Sequence, residues 1–263
     1  MLGAILGDII GSRFEFDRGG KTKEFELFTD DCSFTDDTVM SVAVADALTS
    51  SQDINEEELK NNLIKSMQYW GKKYPYAGYG ASFIYWLDNP IPYGSYGNGS
   101  AMRVSPVGWL YETIDETRRV ARISAEVSHN HIEGTKGAEC TASVIYLART
   151  KHNKEEIKEY IDREFGYDYC ETLKEMRQRH EHIETCMDSL PKALRSFFDG
   201  ESYEDVIRNA ISLGGDTDTL AAIAGAMGEA YYGIPDDIKS EGMKFIPNEF
   251  VEVINRFEEE IIK

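Results

Sequence analysis

The chain has 263 residues, with 28 Lys and Arg against 47 Asp and Glu, and its formal net charge is −19 at pH 7. Proteins bind nucleic acids and anionic membranes chiefly through Lys and Arg contacts with phosphate, so this charge argues against bulk nucleic acid or a membrane surface as a partner. No apolar run approaches the roughly 20 residues that a bilayer span requires.

Helical spacing of apolar side chains dominates the chain and predicts an all-α fold. The apolar residues 1–8 are too short for a secretory signal and lack a basic leader. They are therefore predicted to form a buried first helix. Further amphipathic helices are predicted by apolar stripes at 59–70, 120–127, 157–165, 206–211 and 250–261. No segment shows the sustained alternation that a strand needs, and no linker divides the chain. Residues 1–263 are therefore predicted to form one domain.

Two further helices are predicted to be central, because residues 39–48 and 220–232 are apolar on nearly every side. The second carries many small residues that would let a neighbouring helix approach closely. It is predicted to end at Gly233 in a left-handed C-cap, with Pro235 just beyond. Residues 17–33, which contain a Gly-Gly pair, and residues 74–100, which are rich in Gly and Tyr, are predicted to be loops of a length that usually carries function.

The four cysteines are scattered along the chain and include no Cys-x-x-Cys pair; they are Cys32, Cys140, Cys170 and Cys186. Disulfide scaffolds have a much denser cysteine pattern than this. We therefore expect reduced thiols and a cytoplasmic protein.

Each central helix is preceded by an acidic tetrad, Thr-Asp-Asp-Thr at 35–38 and Asp-Thr-Asp-Thr at 216–219. One interpretation is N-capping, because Thr and Asp side chains accept hydrogen bonds from the free N–H groups of a helix's first turn. Capping needs one side chain, however, and several ionised carboxylates at a buried helix end repel one another unless a cation compensates. The oxygen donors suit Mg²⁺, Mn²⁺ or Ca²⁺ rather than Zn²⁺, and four carboxylates make a two-metal site plausible.

Five motifs occur in order along the chain, at residues 7–15, 35–37, 97–103, 129–134 and 214–219. Together they resemble the ADP-ribosylglycohydrolases of the dinitrogenase-reductase-activating glycohydrolase type. The resemblance implies a compact orthogonal helical bundle with a binuclear Mg²⁺ or Mn²⁺ centre. The metal-ligand positions that it implies are Thr35, Asp36, Asp37, Asp216, Asp218 and Thr219. Asp216 is the least fixed of these, as a bridging or outer carboxylate.

Glu15 lies between two glycine-containing turns and, taken alone, is a surface carboxylate. The resemblance implies instead that it sits on a mobile loop over the substrate and acts in catalysis near the scissile bond. Asp8 is expected to support that loop. Asp37 and Asp218 are the further catalytic candidates, and which metal-site carboxylate assists proton transfer stays open.

Residues 97–103 do not form a dinucleotide fingerprint, since their glycines are not spaced as Gly-x-Gly-x-x-Gly and no strand leads into them. By spacing alone they are a turn, and His129 and His131 are hydrogen-bonded core or surface residues. The resemblance implies that the loop holds the diphosphate of ADP-ribose, with Arg103 adding positive charge, and that both histidines donate to ribose and phosphates. The implied substrate-binding positions are Gly97, Asn98, Gly99, Ser100, Met102, His129 and His131.

Other segments carry less specific signals. His180 and His182 are predicted to lie on a solvated helix face, and a charged insert from about 153 to 184 matches no part of the family pattern. Such inserts tend to shape acceptor choice. The tyrosines of the second loop are predicted either to stack on adenine or to pack in the core; they are Tyr74, Tyr76, Tyr79 and Tyr93.

The expected function is that of a metal-dependent hydrolase that cleaves the glycosidic bond between ADP-ribose and an acceptor at C1″ of the distal ribose. The substrate would be an ADP-ribosylated protein or small molecule, and ADP-ribose the product. One alternative is a non-catalytic ADP-ribose sensor or crystallin-like protein, which Glu15 and the two tetrads disfavour. Another is a metal-dependent hydrolase of a different ribosyl or phosphoryl compound. The acceptor, the preferred metal, the anomeric stereochemistry and the oligomeric state stay open.

Overall fold

A computed structural model describes residues 1–18, 20–51, 54–179 and 182–262. Within these residues there are fifteen α-helices and no β-strand, which confirms the all-α prediction. The helices are α1 Leu2–Gly11, α2 Asp36–Thr49, α3 Glu56–Lys73, α4 Ala81–Asp88, α5 Gly99–Met102, α6 Ser105–Leu110, α7 Ile114–Glu126, α8 Ile132–Arg149, α9 Lys154–Glu164, α10 Leu173–Met176, α11 Cys186–Asp199, α12 Tyr203–Ile211, α13 Thr217–Tyr232, α14 Asp236–Gly242 and α15 Asn248–Ile262. Short 3₁₀ segments span Ser12–Asp17 and Met243–Phe245. None of the helices in the described ranges is both long and apolar enough to cross a membrane.

The fully buried helix α1 packs along α13, and small residues let the two helices approach closely. A Cβ added to Gly11 would lie 2.5 Å from the carbonyl oxygen of Thr217, and one added to Gly225 would lie 2.4 Å from that of Gly3. The close approach predicted for the second central helix is therefore confirmed. The two helices run antiparallel, so the end of α1 lies beside the start of α13.

The first turn of α2 is held by a buried carboxylate from α1. Asp8 accepts hydrogen bonds from the backbone N–H of Thr35 at 2.9 Å and of Thr38 at 3.1 Å, and it also accepts from both threonine hydroxyls. Its bonds are thus to the start of α2, and not to the loop that we expected it to support. Because α1 contacts both α2 and α13, the N-terminal ends of the two central helices lie side by side.

The segment 74–100 was expected to be a loop throughout, and this is wrong, because it contains α4. Phe83, Trp86 and Leu87 form the buried face of this short helix, and the indole N–H of Trp86 donates to the carbonyl of Val127 at 2.7 Å. The Gly- and Tyr-rich flanks obscure this three-residue stripe in the sequence. Gly233 ends α13 with a φ of 74°, as predicted.

Candidate active site

Distant parts of the chain line one cavity of about 370 Å³. Both acidic tetrads, the segment after α1, the glycine-rich loop and the turn between α7 and α8 contribute to its wall. The residues predicted as site residues that line it are Glu15, Asp36, Asp37, Gly97, Asn98, Gly99, Met102, His129, Asp216, Asp218 and Thr219. The fold therefore brings most of the predicted set together.

Three predicted site residues do not line the cavity, and their polar atoms are hydrogen-bonded to other parts of the protein. The Thr35 hydroxyl donates to Asp8 at 2.8 Å and caps α2. The Ser100 hydroxyl is buried and donates to the carbonyl of Gly134 at 2.7 Å. His131 is the N-cap residue of α8, where its Nδ1 accepts from a backbone N–H. These contacts indicate supporting roles for the three.

Helix capping does not satisfy all the carboxylate oxygens at the two helix ends. Asp216 occupies the N-cap position of α13 but makes no capping hydrogen bond; its Oδ2 instead accepts from the Asn98 side chain at 2.6 Å. Oδ1 of Asp37 and Oδ1 of Asp218 are buried and have no hydrogen-bond partner among the residues that the structure describes. Oδ2 of Asp37 accepts from the Thr219 hydroxyl at 3.1 Å. Buried acceptors of this kind are costly when nothing binds them, so the capping interpretation leaves them unexplained.

Divalent cations bound between the two helix ends would give these buried oxygens partners. Glu15, Asp216 and Asp218 can each present an oxygen within 4.8 Å of the others. The donors are all oxygens, which fits Mg²⁺ or Mn²⁺. The residues present therefore fit the metal that the resemblance implies.

Burial and mutual repulsion raise the pKa values of the whole carboxylate cluster. The pKa of Asp36 is raised to about 8, first by burial and then by the nearby carboxylates of Asp8 and Asp216. The pKa values of Asp37 and Asp218 lie well above the usual range for the same reasons. Burial, with the charge of Asp216, raises the pKa of Glu15 to about 7. The cluster thus favours protonation or a bound cation over full ionisation.

A glycine pair brings Glu15 next to the start of α13. Gly214 and Gly215 both have positive φ, at 75° and 76°, a conformation that L side chains rarely adopt. The backbone N–H of Phe16 donates to the carbonyl of Gly215 at 3.1 Å. This bond ties the segment carrying Glu15 to the turn that carries Asp216.

The end of the charged insert packs against the segment that carries Glu15. The ring of His182 stacks on Phe16, with 4.7 Å between centroids, and its Nε2 lies 2.7 Å from Oε1 of Glu184. Glu184 lines the cavity, and its carbonyl accepts from the backbone N–H of Asn98 at 3.0 Å. His182 is exposed, as predicted, but the helix expected there is wrong, because the residue lies in an irregular segment; His180 lies outside the described residues.

The four tyrosines of segment 74–100 have different surroundings. Tyr93 lines the cavity, whereas Tyr74 packs against Phe250 and donates to Glu249. Tyr76 is 99% exposed, and Tyr79 is buried against α4. Of the four, Tyr93 is therefore the candidate for contact with a bound ligand.

The ADP-ribosylglycohydrolase family model matches residues 1–261 of this chain. The chain belongs to the ADP-ribosylglycohydrolase family. It is 28% identical to ADP-ribosylhydrolase ARH3 of Homo sapiens over 310 aligned residues, covering 89% of this chain and 84% of that protein. It is 25% identical to ADP-ribosylarginine hydrolase Tri1 of Pseudomonas putida (strain GB-1), covering 89% of this chain and 70% of that protein.

The chain also matches a solved structure described as an ADP-ribosylglycohydrolase-related protein complex. The TM-score is 0.69 at 21% sequence identity, and the match covers 99% of this chain and 92% of the other. At this identity the likeness shows a shared fold.

Chelator-treated protein is expected to lose stability as the pH rises from about 4 to about 8. The folded-state pKa values of Asp36 and Glu15, about 8 and about 7, lie above their usual values of 3.8 and 4.5. The folded state therefore binds protons that the unfolded state has released, so this stabilisation is complete below pH ~4 and lost as the pH rises through the folded pKa values. Thermal unfolding across this range measures the slope. Asp36→Asn should flatten it and added Mg²⁺ should reduce it; an identical slope in all three would contradict the prediction.

Proposed function

We propose that this protein is a metal-dependent hydrolase that cleaves the glycosidic bond at C1″ of the distal ribose in ADP-ribosylated proteins or small molecules, releasing ADP-ribose. The observation that carries the proposal is the pair of unpartnered carboxylate oxygens, on Asp37 and Asp218, in a cavity that also holds Glu15 and the glycine-rich loop. Family membership and relatives named as ADP-ribosyl hydrolases support the reaction class. Four unpaired cysteines support a reducing, cytoplasmic setting.

Two Mg²⁺ or Mn²⁺ ions would be held by the carboxylates at the starts of α2 and α13. The proposed ligands are Asp36, Asp37, Asp216, Asp218 and Thr219, with Thr35 supporting them through the cap of α2. When bound, the cations supply Lewis acidity and positive charge at the distal ribose. The formal charge of the four aspartates would then be balanced, so an anionic ligand can enter a cavity within a strongly acidic protein.

The glycine-rich loop would hold the diphosphate with a small number of backbone donors. The N–H of Gly97 donates to the Ser95 hydroxyl, and that of Asn98 donates to the carbonyl of Glu184. The N–H group of Gly99, at the start of α5, has no such partner within the described chain. Because Gly99 lines the cavity, its amide is the proposed phosphate donor.

Glu15 would transfer a proton at the reacting bond. Its side chain lies close to Asp216 and Asp218, and its pKa of about 7 suits exchange of a proton near neutral pH. The carboxylate follows a helix end and precedes Phe16, whose φ is 59°, so it projects from an irregular turn and not from a helix. This arrangement supports a catalytic role that neither tetrad can supply alone.

Defined ADP-ribosylated acceptors test the proposal directly. Purified protein is incubated with arginine-, serine- and nucleobase-linked ADP-ribose in the presence of Mg²⁺, Mn²⁺ or a chelator, and released ADP-ribose is measured. We expect ADP-ribose to be released from at least one of these acceptors, and we expect this release to require the metal. Release that persists after chelation would show that the metal dependence is wrong, and tight ADP-ribose binding without release would support the sensor.

His182→Ala is expected to lower kcat/KM by up to about tenfold, because an aromatic contact contributes roughly 0.5–1.5 kcal/mol beyond its buried area. The stack on Phe16 holds the segment that carries Glu15. Steady-state kinetics measure the effect. His182→Phe is the matched control, since it keeps the ring contact and loses the bond to Glu184; it should retain most of the activity. Equal losses in the two variants would assign the effect to Glu184 instead of the stack.

A further inference from the structure

Arg103 is a buried cation without a carboxylate partner in the described part of the chain. The residue is 1% exposed, and no ion pair involves its guanidinium. Its Nη2 donates to the carbonyl of Ser124 at 3.0 Å and to the Ser128 hydroxyl oxygen at 2.9 Å. A buried charge of this kind is costly, so its retention beside the cavity needs a reason.

The donors and acceptors around Ser128 fix the direction of its hydrogen bond with His129. The Arg103 guanidinium can only donate, so the Ser128 oxygen accepts from it. Ser128 is completely buried, and its oxygen lies 2.8 Å from Nδ1 of His129. If Nδ1 carried the proton, the serine hydroxyl would have no acceptor for its own hydrogen in a buried site. The serine therefore donates to Nδ1, and the proton of the neutral imidazole resides on Nε2.

The Nε2 atom faces the glycine-rich loop. A Cβ added to Gly99 would lie 3.0 Å from Nε2, and one added to Gly97 would lie 3.6 Å from it. Burial and the nearby charge of Arg103 hold the pKa of His129 well below its usual range, so the ring stays neutral. In the opposite tautomer, the ring would turn a lone pair toward the loop and repel an anionic or oxygen-bearing ligand.

We propose that Arg103 and Ser128 are positioning residues that fix His129 in the Nε2–H tautomer, so that a neutral imidazole donates a hydrogen bond into the cavity beside Gly97 and Gly99. The acceptor is an oxygen atom of the ligand, on phosphate or ribose. The tautomer belongs to the free protein, and only its use on ADP-ribose rests on the proposed function. The same chain of bonds explains an arginine at position 103, because a group that can also accept would not fix the direction.

Nitrogen NMR of the ligand-free, chelator-treated protein tests the tautomer. The chain has five histidines, so ¹⁵N-histidine labelling gives few signals, and His129→Gln identifies the one of interest. We expect an unprotonated Nδ1 and a protonated Nε2 in the wild type. Ser128→Ala and Arg103→Met should each move both nitrogens toward the average of the two tautomers, and Ser128→Thr should restore the wild-type pattern. A protonated Nδ1 in the wild type, or unchanged shifts in both Ser128→Ala and Arg103→Met, would overturn the proposal.

A second measurement tests the use of this donor. Calorimetry with ADP-ribose and Mg²⁺ should show binding weakened about two- to tenfold in Ser128→Ala, because only part of the population then presents the Nε2–H group. Ser196→Ala is the control. It removes a buried hydroxyl elsewhere in the protein, on α11, and should change neither the tautomer nor the affinity. Unchanged affinity in Ser128→Ala despite an altered tautomer would refute the ligand role. Absence of binding to the wild type would count against the proposed function, while the NMR result still decides the tautomer.

Discussion

Asp218→Asn is expected to stabilise the metal-free protein while removing both its stabilisation by Mg²⁺ and its activity. Asp218 is 5% exposed, and its pKa is raised by burial and by the charges of Asp216 and Asp37. Its Oδ1 has no hydrogen-bond partner within the described residues. An amide at this position is uncharged at every pH, so it avoids the cost of ionising or protonating a buried carboxylate, and it can donate to a neighbouring carboxylate. The same change removes a proposed metal ligand.

The expected gain in the free energy of unfolding without metal is about 1–4 kcal/mol, comparable to the gain often seen when a buried ion pair is replaced by well-packed apolar residues. At about 2–4 °C per kcal/mol for a chain near this size, the increase in Tm is measurable by thermal unfolding with a chelator. Turnover should fall by roughly 10³-fold or more, since metal-assisted stabilisation of the reacting centre amounts to several kcal/mol.

Asp236→Asn is the matched control for this variant, because Asp236 is an exposed aspartate in the first turn of α14. It should change stability by less than about 0.5 kcal/mol and should leave the Mg²⁺ response intact. If metal-free Asp218→Asn instead melts below the wild type, the carboxylate has a structural partner that outweighs the repulsion. If it keeps the full Mg²⁺ response, Asp218 is not a ligand.

The fold could be predicted from the sequence where local patterns and burial agree. The apolar stretches that follow the two tetrads predict α2 and α13, and both are buried on nearly all sides. Gly233 marks the end of α13 because a left-handed residue is needed there. Helix α4 was not predicted, since its buried face has only three residues within a Gly- and Tyr-rich segment.

The sequence predicts those parts of the candidate site that form motifs of consecutive residues. Two acidic tetrads are visible as motifs, and their convergence follows once α1 packs against both helices. His182 and Glu184 were missed, because nothing in their charged surroundings distinguishes them from solvated residues. Their position depends on a tertiary contact, in which Thr185 pairs with Gly97 in an isolated antiparallel bridge. The only local signal there is the N-cap that Thr185 provides for α11.

Glu15→Gln is expected to lower kcat by about 10²–10⁴-fold, the range for loss of a positioned acid or base. Glu15 differs from the aspartates in its setting. It lies on an irregular turn, half-buried, and is followed by Phe16 with a φ of 59°, which is an unfavourable conformation for a bulky residue. Strain of this kind persists where the surrounding contacts impose it, here the bond from Phe16 to Gly215 and the stack on His182. The geometry therefore holds this carboxylate at the metal site without making it part of either helix end.

This separation makes the two carboxylate variants distinguishable. In Glu15→Gln the aspartates and Thr219 are intact, so the increase in Tm with Mg²⁺ should remain, whereas Asp218→Asn should lose it. Single-turnover kinetics with an ADP-ribosylated substrate separate a slower chemical step from weaker binding. Glu26→Gln, an equivalent change further along the same segment, is the control and should keep wild-type kcat. If Glu15→Gln raises KM with kcat unchanged, Glu15 binds substrate without transferring a proton; if it abolishes the Mg²⁺ response, Glu15 is itself a ligand, and the catalytic acid or base must be one of the aspartates.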